Sequence, residues 1–421
     1  MSPLQSSGHA FGQASRPASR QVSNQIPRAA HGLRVVRNDP AQAVVAVSGL
    51  HRGENPQPGS AVIAALRRVY PTVRVIGLSY DSLESGIYSG DVLGDAPDAV
   101  YTMPYPSAGA EVYFERLAEV HRHEGLDMVL PCLDTEVDLL AANLDRLVAL
   151  GIRSFLPTSA SVQLRDKAQL AKLAKLAGCP VPATRLVHDI AGLREAAWEL
   201  GHTVFVKGRL YEARAASSVH ELDAAFWQML EKWGAPVLVQ QRIEGEEYNV
   251  VGLGDGEGGL LGHCALRKML RTASGKGYGG MVVEDALLTE RTRSLVAALK
   301  WRGPFELEFV RSEAQADYYL IEINPRFPAW VGFPASIGCN LPARALEIAL
   351  CRPAKQPLAH PAPGNFFVRH CVDVAGSLAN LQALSVGGVL GAPDHETAAR
   401  SSSVPQFDPA SLPADLFAGA R

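Results

Sequence analysis

Two stretches of the chain alternate apolar residues with carboxylate, amide and guanidinium side chains. Glu306 and Glu308 stand two positions apart in the first stretch, and Glu322, Asn324 and Arg326 keep the same spacing in the second. Residues two apart share one face of a β-strand, and a short polar hairpin would bring two such strands together. Carboxylate and amide oxygens are typical Mg²⁺ ligands, and the guanidinium group of an arginine can bind phosphate through two hydrogen bonds. The pattern predicts a magnesium–nucleotide site, the alternative being a hairpin with a charged, solvated outer face.

The five residues at 322–326, Glu-Ile-Asn-Pro-Arg, resemble the last nucleotide-binding strand of the ATP-grasp superfamily. Three further markers stand upstream in the family's order. Lys167 opens a helix rich in Ala, Leu and Lys, Lys207 ends an apolar strand, and residues 237–247 look like an adenine hinge that leads into a ribose contact. Four markers in order over a long stretch carry the resemblance better than any one of them.

The resemblance implies a role for each matched position, with ATP and Mg²⁺ (or Mn²⁺) as cofactors. The implied metal ligands are Glu308, Glu322 and Asn324; the phosphate contacts are Lys167 and Lys207; the adenine hinge holds Gln240, Gln241 and Ile243; the ribose contact is Glu247; and Arg326 touches the transferred phosphate.

A basic, glycine-rich segment at 267–280 separates two strand-like runs. It resembles the mobile loop that borders the acid substrate and the γ-phosphate in related enzymes. Arg267, Lys268 and Arg271 are therefore candidate contacts for a carboxylate or an acyl phosphate. The alternative is a solvated surface loop.

The activity that the resemblance implies is a carboxylate–amine ligase. No serine or cysteine has an evident base partner, so a bound carboxylate would attack the γ-phosphorus of ATP directly, and an amine would capture the acyl phosphate. The substrates would be a small carboxylate and an amine of the amino acid or peptide type, and a homodimer is one expectation. Two alternatives stay open: a bicarbonate-activating enzyme like carbamoyl-phosphate synthase or biotin carboxylase, and a non-catalytic nucleotide-binding module.

Three features depart from the family pattern. The segment at 209–218, where a glycine-rich phosphate loop is usual, contains no glycine, and a Cβ makes close approach to phosphate harder. The hinge carries Gln240 or Gln241 in place of an acid. Bulky residues at 327–330 follow Arg326 where small ones are common, so the acceptor substrate is the least defined part of the prediction.

Composition excludes several classes of protein. With 47% hydrophobic and 20% charged residues the chain is typical of globular proteins, and a net charge of −3 argues against a general nucleic-acid binder. No apolar run reaches membrane-spanning length, so a membrane protein is not expected. The six cysteines show no C-x-x-C pair and predict buried thiols in a reducing cytoplasm; they are Cys132, Cys179, Cys264, Cys339, Cys351 and Cys371.

The predicted fold class is α/β, with an N-terminal parallel βαβ domain followed by a two-lobed ATP-grasp α+β fold. At 421 residues the chain is too long for one core. The predicted domains are a disordered leader at 1–36, a pre-ATP-grasp α/β domain at 37–158, the ATP-grasp domain at 159–352 with a small lobe at about 183–240, and a C-terminal extension at 353–421 with a disordered tail.

The βαβ prediction starts from an apolar run at 43–49 that ends in glycine, a helix at 60–69 and a second strand at 73–78. No G-x-G-x-x-G follows the first strand, so NAD binding is rejected. The long loop at 49–59 is either functional or plain surface. Further expected elements are helices at about 111–124 and 136–148 and strands at 128–131, 153–156 and 365–370. We expect Asp134 or Thr135 to cap the second of these helices.

Overall fold

The computed structural model describes residues 37–51, 56–208, 212–272 and 275–391. The predicted leader and the last part of the predicted C-terminal extension, 392–421, lie outside these residues, as does the start of the glycine-free segment. Within the described part of the chain, no helix is both long and apolar enough to cross a membrane.

The elements of the described residues are numbered in chain order. The strands are β1 Val44–Ser48, β2 Arg74–Ser79, β3 Ala99–Thr102, β4 Met128–Leu130, β5 Thr184–Val187, β6 Val204–Lys207, β7 Ala213–Ala216, β8 Val237–Gln241, β9 Gly245–Asp255, β10 Leu260–Arg271, β11 Gly277–Val282, β12 Arg302–Ser312, β13 Tyr318–Asn324, β14 Phe366–Val368 and β15 Val389–Leu390. The α-helices are α1 Gly59–Val69, α2 Gly90–Leu93, α3 Ala110–Glu124, α4 Asp134–Ala142, α5 Leu144–Leu150, α6 Ser159–Gln163, α7 Leu170–Ala177, α8 Ile190–Glu199, α9 Val219–Trp233, α10 Ala286–Leu299, α11 Gly332–Ser336, α12 Leu341–Ala349 and α13 Leu378–Gln382.

The first sheet has the order β15-β3-β2-β1-β4. Strands β1 to β4 pair in parallel, and β15 is antiparallel to β3. The apolar strand β1 is buried on both faces, because Val45 and Val47 pack into one core while Val44 and Ala46 pack into another. A parallel sheet needs both faces covered, which explains why β1 is a continuous apolar run. The predicted parallel βαβ unit is confirmed.

The single helix predicted at 136–148 is wrong, because the chain breaks at Asn143. Helix α4 ends before this residue and α5 begins after it, and the Asn143 backbone has φ −133° and ψ 39°. Its side-chain nitrogen donates to the Leu139 carbonyl at 2.8 Å. A side chain that bonds nearby backbone competes with helical hydrogen bonds, which accounts for the break.

The strand predicted at 153–156 is also wrong. In this segment Arg153 makes a single bridge to Met128. The carbonyls of Ser154 and Leu156 instead accept hydrogen bonds from the Arg302 guanidinium at 3.2 and 3.1 Å. A side chain thus takes up backbone groups that a strand would have paired.

The second sheet is antiparallel, with the order β5-β8-β6-β7. Helices α8 and α9 cover one of its faces, where Val204 and Val206 of β6 join Val239 of β8 in the core. Alternation along the strands therefore sends Lys207 and Gln240 to the face opposite the helices.

The third sheet is antiparallel, with the order β13-β12-β9-β10-β11-β14. On one face, apolar residues such as Val250 and Leu307 pack against α7 and α10. On the other face, Val251 and Leu266 share a core with Val45 and Val47 of the first sheet. The rest of that second face is polar and carries the candidate site.

The C-terminal segment contributes to two sheets. The strand predicted at 365–370 is present as β14, which pairs with β11, and β15 adds to the first sheet beside β3. The Arg116 guanidinium holds this second contact by donating to the Gly388 carbonyl at 2.9 Å.

Four of the six cysteines are buried, as expected, but Cys351 and Cys371 are exposed. Cys351 follows the last turn of α12, and Cys371 lies just past β14. Both positions are at the surface, so the expectation of buried thiols is wrong for these two residues.

Candidate active site

The acidic residues of β12 and β13 face one another across two directly paired positions. Glu306 is opposite Asn324, and Glu308 is opposite Glu322. Directly opposed residues of antiparallel strands share one face. The structure therefore brings these four side chains together, and they line a cleft of about 380 Å³.

Glu306 is buried and accepts three hydrogen bonds. Its Oε1 takes one from Asn249 Nδ2 at 2.6 Å and one from Trp330 Nε1 at 2.8 Å, and its Oε2 takes one from Asn324 Nδ2 at 3.0 Å. Burial and the neighbouring Glu308 charge raise the pKa of Glu306. These donors hold the carboxylate rigidly, and Glu306 in turn sets the orientation of the amides around it.

Asn249 lines the cleft but is not among the predicted site residues. It lies on β9 opposite Glu308, so Asn249, Glu308 and Glu322 form one row across three strands. Asn249 stands two residues after the candidate ribose contact Glu247 and therefore shares its face, but the sequence does not indicate that β9 lies beside β12.

Lys268 of β10 bridges two of the predicted site carboxylates. Its Nζ lies 2.7 Å from Glu308 Oε2 and 3.1 Å from Glu247 Oε2. Burial lowers the pKa of Lys268, but the charges of Glu308 and Glu247 outweigh burial and raise it. For Glu308, burial raises the pKa, yet the Lys268 charge and hydrogen bond bring it below its usual value. The two groups stabilise each other as an ion pair.

The three basic residues predicted to contact the acid substrate have separate positions. Among the described residues, only Lys268 of the three lines the cleft. Arg267 pairs with Glu246 at 2.9 Å, and Arg271 pairs with Glu247. Strand β10 continues to Arg271 through bulges against β11, so the predicted loop is shorter than expected, and the turn between the strands supplies Lys276 to the cleft.

The two predicted phosphate lysines lie near Glu322 of β13. Lys167 stands in a short 3₁₀ turn before α7, and its Nζ is 3.0 Å from Glu322 Oε1. Lys207 is only 7% exposed and donates to Gln240 Oε1 at 2.6 Å. Burial, followed by the nearby Lys167 charge, lowers the pKa of Lys207 to about 8.

The predicted hinge surrounds Gln240. The Gln240 Nε2 donates to Thr184 Oγ1 at 3.1 Å, so the Gln240 side chain links β8 to the neighbouring strand β5. The Gln241 side-chain oxygen accepts from the Ala183 backbone at 3.4 Å, and Ile243 is half-buried just beyond the strand. Glu247 follows on β9 and faces Lys268.

Arg326 pairs with the first residue of helix α4, which follows strand β4 of the first sheet. Its Nε lies 2.9 Å from Asp134 Oδ1, with both side chains largely buried. The prediction that Asp134 or Thr135 caps α4 is wrong. The N-cap residue is Leu133, whose backbone N–H donates to Glu136 Oε2, while Asp134 begins the helix. Asp134 is therefore free to pair with Arg326.

Other parts of the cleft come from segments for which no firm role is predicted. Pro56 and Pro58 of the long loop after β1 line it, as does Trp330 of the bulky segment after Arg326. Arg369, which follows β14, also lines it and donates from NH1 to the Gly277 carbonyl at 3.2 Å.

Among the described residues, no group of three or more His, Cys, Asp and Glu side chains has a metal-binding arrangement. The predicted ligands include two carboxylates, Glu308 and Glu322, with amide oxygens beside them. This donor set still fits Mg²⁺, which commonly binds one or two carboxylates and takes its remaining ligands from waters and substrate phosphates.

A larger hollow of about 770 Å³ lies between α4, α6 and the start of α7. Its lining includes Asp138, Arg165 and Lys172, and it contains none of the predicted site residues. The polar cleft beside β12 and β13 is therefore the better candidate, because size alone does not define a site.

The fold is of the predicted mixed α/β class, with one largely parallel and two antiparallel sheets. Residues 164–329 match the family model of the ATP-grasp domain. This matched segment holds all four motifs on which the resemblance rests, and it confirms that the chain is similar to the ATP-grasp family over these residues.

A curated relative is the arginine-specific carbamoyl phosphate synthase large chain of Lactiplantibacillus plantarum, 26% identical over 269 residues, which are 58% of this chain. The match spans 26% of that relative's own length, so its activity does not transfer as such.

Two solved structures are similar in fold. The N5-carboxyaminoimidazole synthase of Aspergillus clavatus, in complex with ADP and 5-aminoimidazole ribonucleotide, has a TM-score of 0.59 at 16% identity, over 82% of this chain and 86% of that one. The L-amino acid ligase of Bacillus licheniformis has a TM-score of 0.54 at 16% identity, over 73% of this chain and 74% of that one.

Proposed function

We propose that the protein is an ADP-forming ligase that activates a carboxylate as an acyl phosphate and joins it to an amine. One observation carries the proposal: the ion pair of Lys167 with Glu322, 3.0 Å apart. It brings a candidate phosphate contact next to a candidate metal ligand, and Lys207 is close enough for Lys167 to lower its pKa. Lysines beside carboxylates suit a polyphosphate that carries a divalent cation.

The nucleotide would lie between the second and third sheets. Lys167 and Lys207 would contact the phosphates, the segment from Gln240 to Ile243 would meet the adenine, and Glu247 would accept from a ribose hydroxyl. Glu308, Glu322 and Asn324 would hold Mg²⁺ or Mn²⁺, which supplies charge neutralisation at the transferred phosphate.

The first chemical step needs no protein nucleophile. A carboxylate oxygen forms a bond to the γ-phosphorus while the bond from that phosphorus to the bridging oxygen breaks, giving ADP and an acyl phosphate. Arg326, buried beside Asp134, would stabilise charge on the phosphoryl oxygens. The amine nitrogen then attacks the acyl carbon, phosphate leaves and the amine loses a proton.

The acid substrate would occupy the cationic side of the cleft. Lys276 and Arg369 line it together with Arg326, and a carboxylate is the group that such side chains recognise. Trp330 and the prolines of the loop after β1 would limit its size. The cytoplasmic location, the homodimer and the domain boundaries stay predictions.

A second candidate is bicarbonate activation, which the similarity to a carbamoyl phosphate synthase large chain favours. In that reaction bicarbonate replaces the organic acid in the same attack on the γ-phosphorus. The two candidates share the nucleotide site and differ only in the acid.

The test is to incubate the purified chain with Mg-ATP and pools of amino acids, short peptides and small acids. We expect ADP, phosphate and a product whose mass equals acid plus amine minus water. Oxygen-18 placed in the acid should appear in the released phosphate. Label transfer from bicarbonate alone would favour the second candidate, whereas AMP and pyrophosphate would contradict both.

A further inference from the structure

Asn249 stands in line with two predicted metal ligands. Asn249 of β9 is opposite Glu308 of β12, and Glu308 is opposite Glu322 of β13. The three side chains share one face of the third sheet, and all of them line the cleft. Asn249 is only 4% exposed, so its polar atoms depend on partners inside the cleft.

Glu306 fixes which end of the Asn249 amide faces the cleft. Its Oε1 accepts from Trp330 Nε1, and an indole N–H can only donate. Since this oxygen acts as an acceptor, the group that Asn249 turns toward it at 2.6 Å is the amino group. The amide oxygen Oδ1 therefore points away from Glu306.

That amide oxygen is buried and has no hydrogen-bond partner among the described residues. An unpaired buried carbonyl oxygen is destabilising. In native proteins such an oxygen usually has a hydrogen-bond donor, a water molecule or an ion as its partner. The residue opposite Asn249 in the row is Glu308, whose carboxylate repels an oxygen unless a cation is shared. The ammonium of Lys268 bonds Glu308 and Glu247 instead.

We propose that Asn249 Oδ1 is a further ligand of the divalent cation, beside Glu308 and Glu322, and that Glu306 orients it. This inference rests on the proposed magnesium–nucleotide site. Glu306 also takes the amino group of Asn324 at 3.0 Å, so one buried carboxylate turns two amide oxygens toward the same cleft. The two carboxylates carry two negative charges, which balance the charge of a divalent cation, and the two amide oxygens add ligands without charge. Four protein ligands leave coordination positions for nucleotide phosphate.

The test measures Mn²⁺ binding to the full chain in the presence of ADP, by the electron paramagnetic resonance signal of free Mn²⁺. Asn249→Ala is expected to weaken Mn²⁺ binding at least about tenfold, the lower end of what altered metal surroundings cost. Asn249→Asp keeps an oxygen and is expected to bind Mn²⁺ more tightly than the alanine variant. In Asn249→Ser the side chain is too short for its hydroxyl to reach the cation, so this variant should bind Mn²⁺ as weakly as Asn249→Ala. It replaces the alanine variant in the test if the alanine variant does not fold.

A merely structural role gives the opposite order. If Asn249 only donates to Glu306, the aspartate variant loses that donor, places two carboxylates together and binds Mn²⁺ no better than alanine. Asn340→Ala is the matched control, since Asn340 is a buried asparagine that caps α12 and donates to the Ala65 carbonyl. It should lower the melting temperature and leave Mn²⁺ affinity unchanged.

The outcomes separate this inference from the proposed function. Unchanged Mn²⁺ affinity in Asn249→Ala, or equal losses in the alanine and aspartate variants, overturns the role of Asn249 and leaves the nucleotide site intact. No binding of Mn²⁺ and ADP by the wild-type chain overturns both.

Discussion

Lys207 has an ammonium group whose charge is costly in its surroundings. Burial and the Lys167 charge lower its pKa from 10.5 to about 8. In the folded chain the group therefore loses its proton between pH 8 and 10.5, while the unfolded chain keeps it. Because the unfolded state then binds more protons, this residue makes the free energy of unfolding rise with pH across that window.

Nucleotide binding should depend on pH in the opposite direction. The charged form of Lys207 favours phosphate, so ATP affinity is expected to fall above pH 8, by at most roughly tenfold per pH unit. Titration calorimetry from pH 7 to 9.5 measures this. Lys207→Met should bind ATP weakly and without this slope. A wild-type affinity that stays constant across the range would contradict the phosphate role.

Glu322 combines a predicted metal role with an ion pair to Lys167. Glu322→Ala is expected to reduce ATP turnover at least about a hundredfold, because a predicted metal ligand is lost. Its side chain is 34% exposed, so the melting temperature should fall only modestly. Glu257→Ala, which removes an exposed acid outside the cleft, is the control for both measurements.

Full ATP turnover in Glu322→Ala would show that Glu322 is not a residue of the active site. A large loss of stability with normal turnover would mean that Glu322 serves chiefly to neutralise the buried Lys167.

At the scale of elements, the start of α4 supports the guanidinium of Arg326. Asp134→Asn keeps the shape of the side chain and removes the charge that pairs with Arg326 at 2.9 Å. Loss of a partner leaves a largely buried cation unpaired, and we expect a loss of roughly 1–3 kcal/mol in the free energy of unfolding, less than for a fully buried pair. Urea denaturation measures it.

Asp145→Asn is the control for this prediction, since Asp145 is an exposed acid in the first turn of α5. Equal stability in the Asp134 and Asp145 variants would show that Arg326 does not depend on its partner.

The hairpin of β12 and β13 could be predicted because it is local. Alternation fixed which side chains share a face, and a short turn required the strands to pair. Asn249 depends on β9 lying beside β12, which follows from the strand order and not from any nearby residue. The contact between Asp134 and Arg326 joins the start of α4 to the segment after β13, which are far apart in the sequence. The break at Asn143 comes from one side-chain hydrogen bond that hydrophobic periodicity does not reveal.

At the scale of the whole molecule, the C-terminal segment connects regions that the sequence analysis treated separately. Strand β14 extends the third sheet and β15 extends the first. Arg369, between them, lines the cleft. The strand at 365–370 was predicted from its apolar run. Its pairing with β11, and the pairing of β15 with β3, could be seen only in the structure.

The first and third sheets share a hydrophobic core, whereas the second sheet has a core of its own. Val45 and Val47 of the first sheet share one core with Val251 and Leu266 of the third, whereas the core of the second sheet draws only on residues between Val187 and Val239. The first and third sheets should therefore melt as one cooperative unit, and the second sheet with α8 and α9 should be able to melt alone. Differential scanning calorimetry is expected to resolve two transitions, with Mg-ADP moving the earlier one upward, and a single transition under all conditions would contradict this division. Opening of the second sheet would then be the step that admits and releases nucleotide, while the described residues that line the cleft, none of which belongs to the second sheet, stay in place.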